Sequence, residues 1–561
     1  MIGRRGGPNP ILAAPTRIMV FNSLAFAVFL PIVLLLYYAT KGRLQKVVLL
    51  TAGYVFYGFW DSRFLFLISL STVLDFCTGL MIGRGRMTLG QRLQATAHFL
   101  GFGFFFLFLD WKQVHLQGGL HVDWGRFAGG QPLYVRLFLL AVAGVAVAHV
   151  LYPRLSRLPE SKRRLFFLCV SLIGQLGMLA VFKYANFFVD SAATLAGRLG
   201  FSVQGWHLHI LLPIGISFYT FQTLSYVCDV YWKKMEPAGN LLDFAIFVSY
   251  FPPLVAGPIE RASHLLPRIL APRRVTLDHW CRGIFLVAQG MMKKVALADG
   301  LAPSVASIYN TGGVVTGVDV AAATLAFAVQ IYCDFSGYSD IACGCSLFFG
   351  IDLLKNFDQP YYSVNPSEFW RRWHISLSSW LRDYLYIPLG GNKGSAAKTY
   401  RNLMLTMVLG GLWHGAAWNF VLWGAYQGLL LIVHRLAVGP GGKPFSGGML
   451  ARLPRMAFFF IFVCYGWLLF RANTFGQIAH FTHQLVAGFG SLALHMKKPT
   501  FSALAALPVL VILGWWQFST GNPLYYRRAP APVRGLIYAA FIFITVLGTS
   551  NDPQQFIYFQ F

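Results

Sequence analysis

The sequence predicts an all-α, polytopic membrane protein, and three observations lead to this fold class. Of its 561 residues, 56% are hydrophobic and 12% are charged, whereas soluble domains carry about 25% charged residues. Several uncharged apolar runs reach about 20 residues, the length at which a helix crosses a bilayer core. Lys and Arg, 46 against 20 Asp and Glu, lie mainly in short connectors between these runs, which is typical of cytoplasmic loops under the positive-inside rule. This pattern excludes a disordered chain and disfavours a soluble enzyme or a nucleic-acid-binding protein.

The first 18 residues are predicted to be an extension outside a single transmembrane domain over residues 19–561. Met1–Ile18 contains three Arg, which would lie on the outer side if Lys41–Lys46 is cytoplasmic. Met19–Thr40 carries no charge. Met19 is therefore a candidate for the natural initiator.

Seven predicted spans precede residue 232, and the basic connectors between them fall on alternate sides of the membrane. These spans are Leu24–Tyr38, Val47–Trp60, Phe64–Ile82, Ala97–Leu109, Tyr134–Leu151, Leu165–Phe182 and Ile210–Tyr231. The connectors Asp61–Arg63, Asp110–Gln131 and Lys183–His209 carry few positive charges. They are predicted to face outward.

The alternation fails after Tyr231. Phe244–Ala256 and Ile284–Met292 are short apolar segments with basic residues at both ends, including Arg261–Arg274 and Lys293–Lys294. Such segments are predicted to be re-entrant, which is tolerated where the backbone is buried or lines a cavity. Six later spans are also predicted, and at typical span lengths the apolar runs correspond to about 11 to 13 membrane-embedded segments. These later spans are Ala321–Cys333, Leu403–Trp413, Trp418–His434, Met456–Phe470, Ala503–Trp516 and Gly535–Leu547.

His414 is the first candidate catalytic residue. It lies in LGGLWHGAAWNFVLWGAYQG, and no charged residue occurs between Asn402 and His434. An ionisable residue within the membrane is costly and is a functional candidate by default. The alternative is a buried histidine held by one hydrogen bond between helices. Trp413 and Asn419 of the same segment are candidate substrate-binding residues.

His374 is the second candidate, in SEFWRRWHISLSSWLRDYLYIPLGGN. The spacing of the apolar residues predicts one amphipathic helix at the membrane surface. Its apolar face comprises Trp370, Trp373, Leu377, Trp380 and Leu381. The alternative is an interfacial helix in which His374 has no function. Arg371 and Arg372 are candidate substrate-binding residues.

A third segment, VQIYCDFSGYSDIACGCSLFFGIDL, contains Asp334 and Asp340 within apolar sequence. Carboxylates six residues apart do not share a helix face, so an Asx turn that breaks a membrane helix is predicted. A metal pair or a partner for a catalytic histidine are the functional alternatives. No ligand spacing is complete, and no metal site is predicted. Tyr332, Asp334, Ser336 and Asp340 are retained as candidate substrate-binding residues.

Several motifs together resemble the membrane-bound O-acyltransferase (MBOAT) family, in particular its bacterial alginate O-acetyltransferase branch. They are KYANFF, PIGISFYTFQTLSYVCDVY, GPIER, CDFSGYSDIACG, FWRRWHISLSSWLRDYLYIPLGGN, LGGLWHGAAWNFVLWG and FIYFQF. The resemblance implies an all-helical body around a tunnel through the bilayer. It implies that His414 is catalytic and that His374 is the second signature position, within a catalytic core region over residues 244–434. Residues 97–151 depart from the pattern and are interpreted as an insertion with two extra spans.

The resemblance further implies an O-acetyltransferase of the bacterial inner membrane. The expected acyl donor is cytosolic acetyl-CoA, with no permanently bound cofactor. The expected acceptor is a hydroxyl of an exported, alginate-like polysaccharide or of a periplasmic acetyltransferase partner. A neutral His414 can act as general base, while His374 orients the donor or stabilises the oxyanion. Two alternatives remain: D-alanyl or other acyl transfer of the teichoic-acid type, and a proton-coupled transporter or flippase.

Overall fold

A computed structural model describes residues 19–115, 121–129, 132–201, 212–439, 448–549 and 556–557. The predicted extension over residues 1–18 lies outside the described residues. The domain boundaries at 19–561, with an insertion at 97–151, stay predictions.

The described residues fold almost entirely into α-helices. The first nine are α1 Leu24–Ala39, α2 Gly42–Gly58, α3 Phe64–Gly83, α4 Leu89–Gly103, α5 Trp124–Phe127, α6 Pro132–Ser156, α7 Glu160–Leu179, α8 Ala185–Arg198 and α9 Ile216–Tyr231. The next eight are α10 Leu241–Ser249, α11 Phe251–Leu254, α12 Ala262–Leu270, α13 Leu277–Met291, α14 Asp299–Tyr309, α15 Gly317–Leu347, α16 Pro366–Arg372 and α17 Ile375–Leu381. The last six are α18 Ala396–His414, α19 Trp418–Val438, α20 Met449–Arg471, α21 Phe475–Ala487, α22 Phe501–Thr520 and α23 Ala531–Gly548.

Shorter elements lie between or within these helices. Two-residue strands, β1 Val114–His115 and β2 His121–Val122, form one antiparallel pair. Single π-helical turns interrupt the α-helices at Phe104–Phe108, Ala180–Tyr184, Met292–Ala298 and Arg382–Tyr386. Short 3₁₀ turns occur at Trp111–Gln113, Pro360–Tyr362, Gly488–Gly490 and Tyr525–Arg528.

Within the described residues, eight helical segments are long and apolar enough to cross a membrane. One of them, Pro132–Ser156, has almost no side chains buried by the protein, as expected for a helix whose surface faces lipid. The predicted all-α, polytopic fold class is therefore confirmed.

One predicted connector and the bounds of one predicted re-entrant segment are wrong. Residues Lys183 to Arg198 are helical, because the segment Glu160–Arg198 continues through a π-turn rather than ending at Phe182. The short re-entrant segment Ile284–Met292 is part of a longer helical run in which α13, the π-turn Met292–Ala298 and α14 follow one another without a loop. In both cases the apolar run was predicted to end just before a lysine, Lys183 or Lys293, and that lysine has its hydrogen-bond or charge partner inside the protein.

Glycine pairs bring α13 and α15 into close contact. A Cβ atom at Gly290 would lie 2.5 Å from the carbonyl oxygen of Gly337, and one at Gly344 would lie 2.7 Å from that of Gly283. Only glycine permits this approach of two helix backbones.

The close approach pairs buried charges. Lys293 Nζ lies 2.7 Å from Asp340 Oδ2, and Lys294 Nζ lies 2.7 Å from Asp334 Oδ1. Lys293–Lys294 is therefore not the predicted cytoplasmic cluster. The predicted helix break at Asp334–Asp340 is also wrong, because lysine partners stabilise both carboxylates within the continuous helix α15.

The chain forms two compact units. The first comprises the described residues of Met1–Gly177, Tyr219–Leu254 and Arg261–Pro272, and the second those of Met178–Phe218, Val255–Glu260 and Arg273–Phe561. In the first unit, buried Asp75 of α3 accepts hydrogen bonds from Ser171 Oγ and Gln175 Nε2 of α7, at 2.6 and 2.8 Å. The second unit contains both candidate histidines.

Candidate active site

His374 lies at a break between two short helices. It has φ 43° and ψ 54°, a left-handed conformation, between α16 and α17. For a residue with a Cβ atom this conformation costs about 1–2 kcal/mol. The single amphipathic helix predicted across His374 is therefore wrong. The break turns His374 into the protein, where its side chain is fully buried.

Asn356 orients the His374 ring. His374 Nδ1 lies 2.9 Å from Asn356 Oδ1, and an amide oxygen can only accept a hydrogen bond. Nδ1 therefore carries the proton and donates it. Nε2 is then a buried lone pair with no hydrogen-bond partner among the described residues. Burial, and then the neighbouring His414, hold the pKa of His374 well below its ordinary value.

The orientation of Asn356 is itself fixed by two serines. Asn356 Nδ2 donates to Ser339 Oγ at 3.1 Å, and Ser376 Oγ donates to Asn356 Oδ1 at 2.9 Å. Ser376 Oγ in turn accepts from the backbone N–H of Ile259 at 3.0 Å. This network fixes which way the amide points, and hence the tautomer of His374. Sequence reasoning missed Asn356 because it lies in a connector with no recognisable motif.

His414 is the last residue of α18 and is buried. The helix ends at Gly415, which has an extended backbone and at which a Cβ atom would lie 2.2 Å from the Phe420 ring. Aromatic rings surround the imidazole, with centroids 5.2 Å away for Trp423 and 5.5 Å for Phe470. The prediction that His414 is buried in apolar surroundings agrees with this geometry.

The backbone of α18 near His414 packs directly on α19. A Cβ atom at Gly411 would lie 2.3 Å from the Phe420 carbonyl oxygen, and one at Gly424 would lie 2.4 Å from that of Met407. The two glycines therefore determine the separation of the helices, and with it the position of His414.

Lys183 caps the helix that ends at His414. Its Nζ donates to the carbonyl oxygens of Trp413 at 2.7 Å and His414 at 3.2 Å. The neighbouring Tyr184 hydroxyl donates to the Leu412 carbonyl at 2.9 Å. A cation at a helix C-terminus stabilises the carbonyls that lack intrahelical partners. Sequence reasoning assigned Lys183 to an outward connector, although the motif KYANFF contained the signal.

The two imidazoles lie close together in the second unit. Their ring centroids are 6.4 Å apart, and the buried Trp413 ring lies 6.0 Å from His374 and 5.1 Å from His414. Residues far apart in sequence thus form one site with apolar walls. Such a pair can orient a small reacting group and transfer a proton.

The candidates on α15 have different surroundings. Asp334 and Asp340 pair with lysines, and Asp334 also accepts from the backbone N–H of Ile557 at 2.8 Å. Lys293 lies over the Tyr332 ring, which is 6.3 Å from the Trp373 ring. Ser336 Oγ is buried without a hydrogen-bond partner in the described part of the chain. Substrate binding by these four residues stays a prediction.

The remaining candidates lie on the edges of the site. Asn419 Nδ2 donates to the carbonyls of Phe470 and Ala472 at 3.2 and 3.1 Å, joining α19 to the end of α20. Arg372 pairs with Glu368 at 3.1 Å and with Asp358 at 3.4 Å. These bonds give Asn419 and Arg372 structural partners.

Arg371, in contrast, is exposed and lines a cavity of about 300 Å³. This cavity lies among α16, α17, α18 and α19, and its walls include Trp370, Ile375 and Arg382. Trp370 and Ile375 lie on either side of His374 in the chain. The cavity wall therefore includes residues that flank His374 in the chain together with the basic residues Arg371 and Arg382.

Comparison with known proteins identifies the family of the chain. The sequence profile of the membrane-bound O-acyltransferase family matches residues 238–475. The chain is 38% identical to a probable alginate O-acetylase of Azotobacter vinelandii, over 93% of this chain and 91% of that protein. It is 34% identical to a peptidoglycan O-acetyltransferase of Helicobacter pylori, over 61% of this chain and 68% of that protein. It is 27% identical to a teichoic acid D-alanyltransferase of Bacillus subtilis, over 47% of this chain and 69% of that protein.

These similarities confirm the family and the enzyme class predicted from the motifs. Both histidines lie within the residues that the family profile matches. The chain therefore belongs to the membrane-bound O-acyltransferase family and is a multi-pass membrane enzyme that transfers an acyl group to an oxygen acceptor.

Proposed function

We propose that this enzyme transfers an acetyl group from cytosolic acetyl-CoA to a hydroxyl of an exported polysaccharide in the bacterial inner membrane. Similarity to an alginate O-acetylase along nearly the whole chain supports acetyl as the acyl group, since similarity to the D-alanyltransferase is lower and covers less of the chain. The observation that carries the proposal is the pair of buried imidazoles 6.4 Å apart. A periplasmic acetyltransferase partner is proposed to receive the group where transfer to the polymer is indirect.

In the proposed mechanism, His414 removes the proton from the acceptor hydroxyl as its oxygen attacks the thioester carbonyl. The new C–O bond forms and the C–S bond breaks. The proton then passes to the departing thiolate, so the reaction releases an ester and a thiol. An imidazole suits this role because a general base works best when its pKa is close to the operating pH, and the ordinary pKa of histidine is close to neutral.

His374 orients the donor in this mechanism. Its Nε2 lone pair accepts a hydrogen bond from an N–H group of the acyl donor. The tautomer that Asn356 imposes supports this arrangement, because it leaves Nε2 without a proton. The alternative role, donation to the oxyanion, requires a second proton on the ring, and burial opposes that charge. The cavity lined by Trp370 and Ile375 supports entry of the thioester from the cytosol. Arg371 and Arg382 also line it and are proposed to bind the phosphate groups of acetyl-CoA.

The test is the variant His414→Ala, with His434→Ala as a control in the adjoining helix α19. Purified enzyme is given labelled acetyl-CoA and an oligosaccharide, and ester formation and thiol release are measured. We expect His414→Ala to lower turnover by about 10²- to 10⁴-fold, the contribution of a general base, and His434→Ala to retain turnover. Full turnover by folded His414→Ala contradicts the role of His414. Transfer of alanine from a carrier protein, with none from acetyl-CoA, contradicts the proposed donor.

A further inference from the structure

An apolar cavity lies in the first unit, among α3, α4, α6 and α7. Its volume is about 180 Å³, below the roughly 300–1,000 Å³ of sites that enclose a whole small-molecule ligand. Most of its walls are apolar and include Val73, Met81, Phe99 and Phe167. Walls of this kind offer a water molecule few hydrogen-bond partners, so the space suits part of a hydrocarbon chain. The proposed reaction does not use it.

One side of α6 closes this cavity, and the rest of the helix faces lipid. Four residues at spacings of three and four line the cavity from α6: Val145, Ala148, His149 and Tyr152. Almost none of the segment Pro132–Ser156 is buried by the protein. Ala148 is itself exposed although it lines the cavity. The cavity is therefore open to the surface on which lipid chains lie.

Arg92 of α4 brings a positive charge to the cavity. Its guanidinium carbon lies 4.2 Å from the centroid of the Tyr152 ring, and both residues belong to the lining. Arg92 Nε is buried and has no hydrogen-bond partner among the described residues. The described residues that line the cavity include no Asp or Glu. A guanidinium that stacks on an aromatic ring keeps its N–H groups free to bind a phosphate.

The polar neighbours of Arg92 are already bonded to one another. The Tyr152 hydroxyl donates to the Met87 carbonyl at 2.9 Å and accepts from the Met87 N–H at 2.8 Å. Thr96 Oγ1 lies 2.9 Å from His149 Nε2. These bonds join α6 to α4 and to the connector before it. They hold the Tyr152 ring in place and leave the guanidinium without a competing partner in the lining.

Charge distribution indicates that the Arg92 end of the cavity lies at the cytoplasmic surface. The connector 84–88 contains Arg84 and Arg86, and residues 154–164 contain five basic residues against one acidic residue. Basic connectors stay cytoplasmic, and the cytoplasmic leaflet contains anionic lipids. Along α3, the lining runs from Met81 to Val73, about two turns or about 11 Å deeper into the bilayer. The cavity thus joins a positive end at the head groups to an apolar end among the chains.

We propose that this cavity binds an anionic phospholipid of the cytoplasmic leaflet, with its phosphate at Arg92 and part of one acyl chain between α3 and α6. Basic pockets between transmembrane helices on the cytoplasmic side bind anionic head groups in this way. A helix of a partner protein or of a second copy is too wide for a cavity of about 180 Å³. The inference concerns the first unit and does not depend on the proposed function.

Two substitutions test the two parts of the site separately. Arg92→Gln removes the charge, and Ala148→Trp fills the cavity from α6. Arg86→Gln is the control for charge, because Arg86 is an exposed arginine of the preceding connector and is outside the lining. Ala146→Trp is the control for the added ring, because Ala146 is an exposed alanine of α6 and is outside the lining.

The full-length enzyme in detergent is titrated with phosphatidylglycerol, and native mass spectrometry gives the Kd of the tightest lipid site. Phosphatidylcholine with the same acyl chains and inorganic phosphate are the comparison ligands. We expect Arg92→Gln and Ala148→Trp each to raise the Kd for phosphatidylglycerol about tenfold or more, equivalent to about 1.4 kcal/mol. Arg86→Gln and Ala146→Trp should bind it as the unaltered enzyme does. In the unaltered enzyme, phosphatidylcholine should bind about tenfold more weakly, and inorganic phosphate should not displace phosphatidylglycerol.

The outcomes test the chain, the charge and the source of the phosphate one by one. An unaltered Kd in Ala148→Trp, with a thermal midpoint that shows a folded protein, overturns the placement of the acyl chain. An unaltered Kd in Arg92→Gln overturns the role of Arg92. Equal Kd values for the two phospholipids overturn the preference for an anionic head group, and this measurement needs only the unaltered enzyme. Displacement of phosphatidylglycerol by inorganic phosphate identifies a site for the free anion and overturns the lipid as its ligand.

Discussion

His374 and His414 lie in one site but are held in different ways. His374 lies in a left-handed break between two seven-residue helices, and a side-chain network through Asn356 orients its ring. His414 ends a regular 19-residue helix, and backbone contacts position it through Gly411 and through Lys183. The first histidine depends on hydrogen bonds to its ring and the second on the position of its helix.

This difference favours separate roles for the two histidines. A ring whose tautomer is fixed by a hydrogen bond presents one defined atom, which suits orientation of a substrate. A ring at a helix end among aromatic side chains keeps its position while its protonation changes, which suits a base. The difference also indicates which substitutions disturb each histidine separately.

Among substitutions that test how the two rings are held, the largest effect is expected from Gly411→Ala, which acts on the position of His414. The added Cβ atom would lie 2.3 Å from the Phe420 carbonyl oxygen, so α18 and α19 must move apart. Overpacking of this kind costs about 1–3 kcal/mol of unfolding free energy. We expect a lower thermal midpoint and a loss of turnover of about tenfold or more.

Gly410→Ala is the matched control. The Cβ atom there would lie 2.9 Å from Leu381 Cδ1, the end of a flexible side chain, and alanine improves helix propensity at both positions. Equal thermal midpoints and equal turnover for the two variants would show that backbone contact does not position His414.

The next largest effect is expected from Asn356→Ala, which acts on His374. Loss of one hydrogen bond of about 1.4 kcal/mol corresponds to about tenfold in kcat/KM. We expect the loss to appear mainly as a higher KM for the acyl donor, because His374 is proposed to orient it. Ser339→Ala removes a partner of Asn356 but leaves its Oδ1 in place, and a smaller effect is expected there.

Asn356→Asp distinguishes orientation of the ring from simple packing. The carboxylate still accepts from Nδ1, so the ring keeps its orientation. A nearby negative charge stabilises the imidazolium and raises the pKa of His374. The neutral form then requires a higher pH, so the acidic limb of the pH–rate profile should move to higher pH. An unchanged profile, with turnover as low as in Asn356→Ala, would contradict the proposed network.

Sequence reasoning could predict much of the fold but only part of the site. The all-α, multi-pass fold class and the choice of both histidines as candidates came from the sequence, since apolar length and a lone ionisable residue in apolar sequence are local signals, whereas the bounds of several spans did not. Asn356 was not, because its role depends on a contact across 18 residues and a backbone break at His374. The lysines at 293 and 294 were misassigned because a basic pair in sequence is identical whether water or a buried carboxylate neutralises it.

The smallest effect is expected from Lys183→Met, which removes the cation from the end of α18 but keeps a side chain of similar length. A charge at a helix C-terminus contributes about 1 kcal/mol to the stability of that helix end. If the whole of this contribution is lost from the positioning of His414 in the transition state, the rate falls about fivefold. Because Lys183 bonds to carbonyls and not to the imidazole, kcat should fall while the KM values of donor and acceptor stay unchanged. Lys183→Arg should restore part of kcat, and Arg198→Met, which removes an exposed cation from the end of α8, should leave it unaltered. A rise in the KM for the donor without a change in kcat would indicate that Lys183 contacts the donor, and the helix-end account of how His414 is positioned would then be wrong.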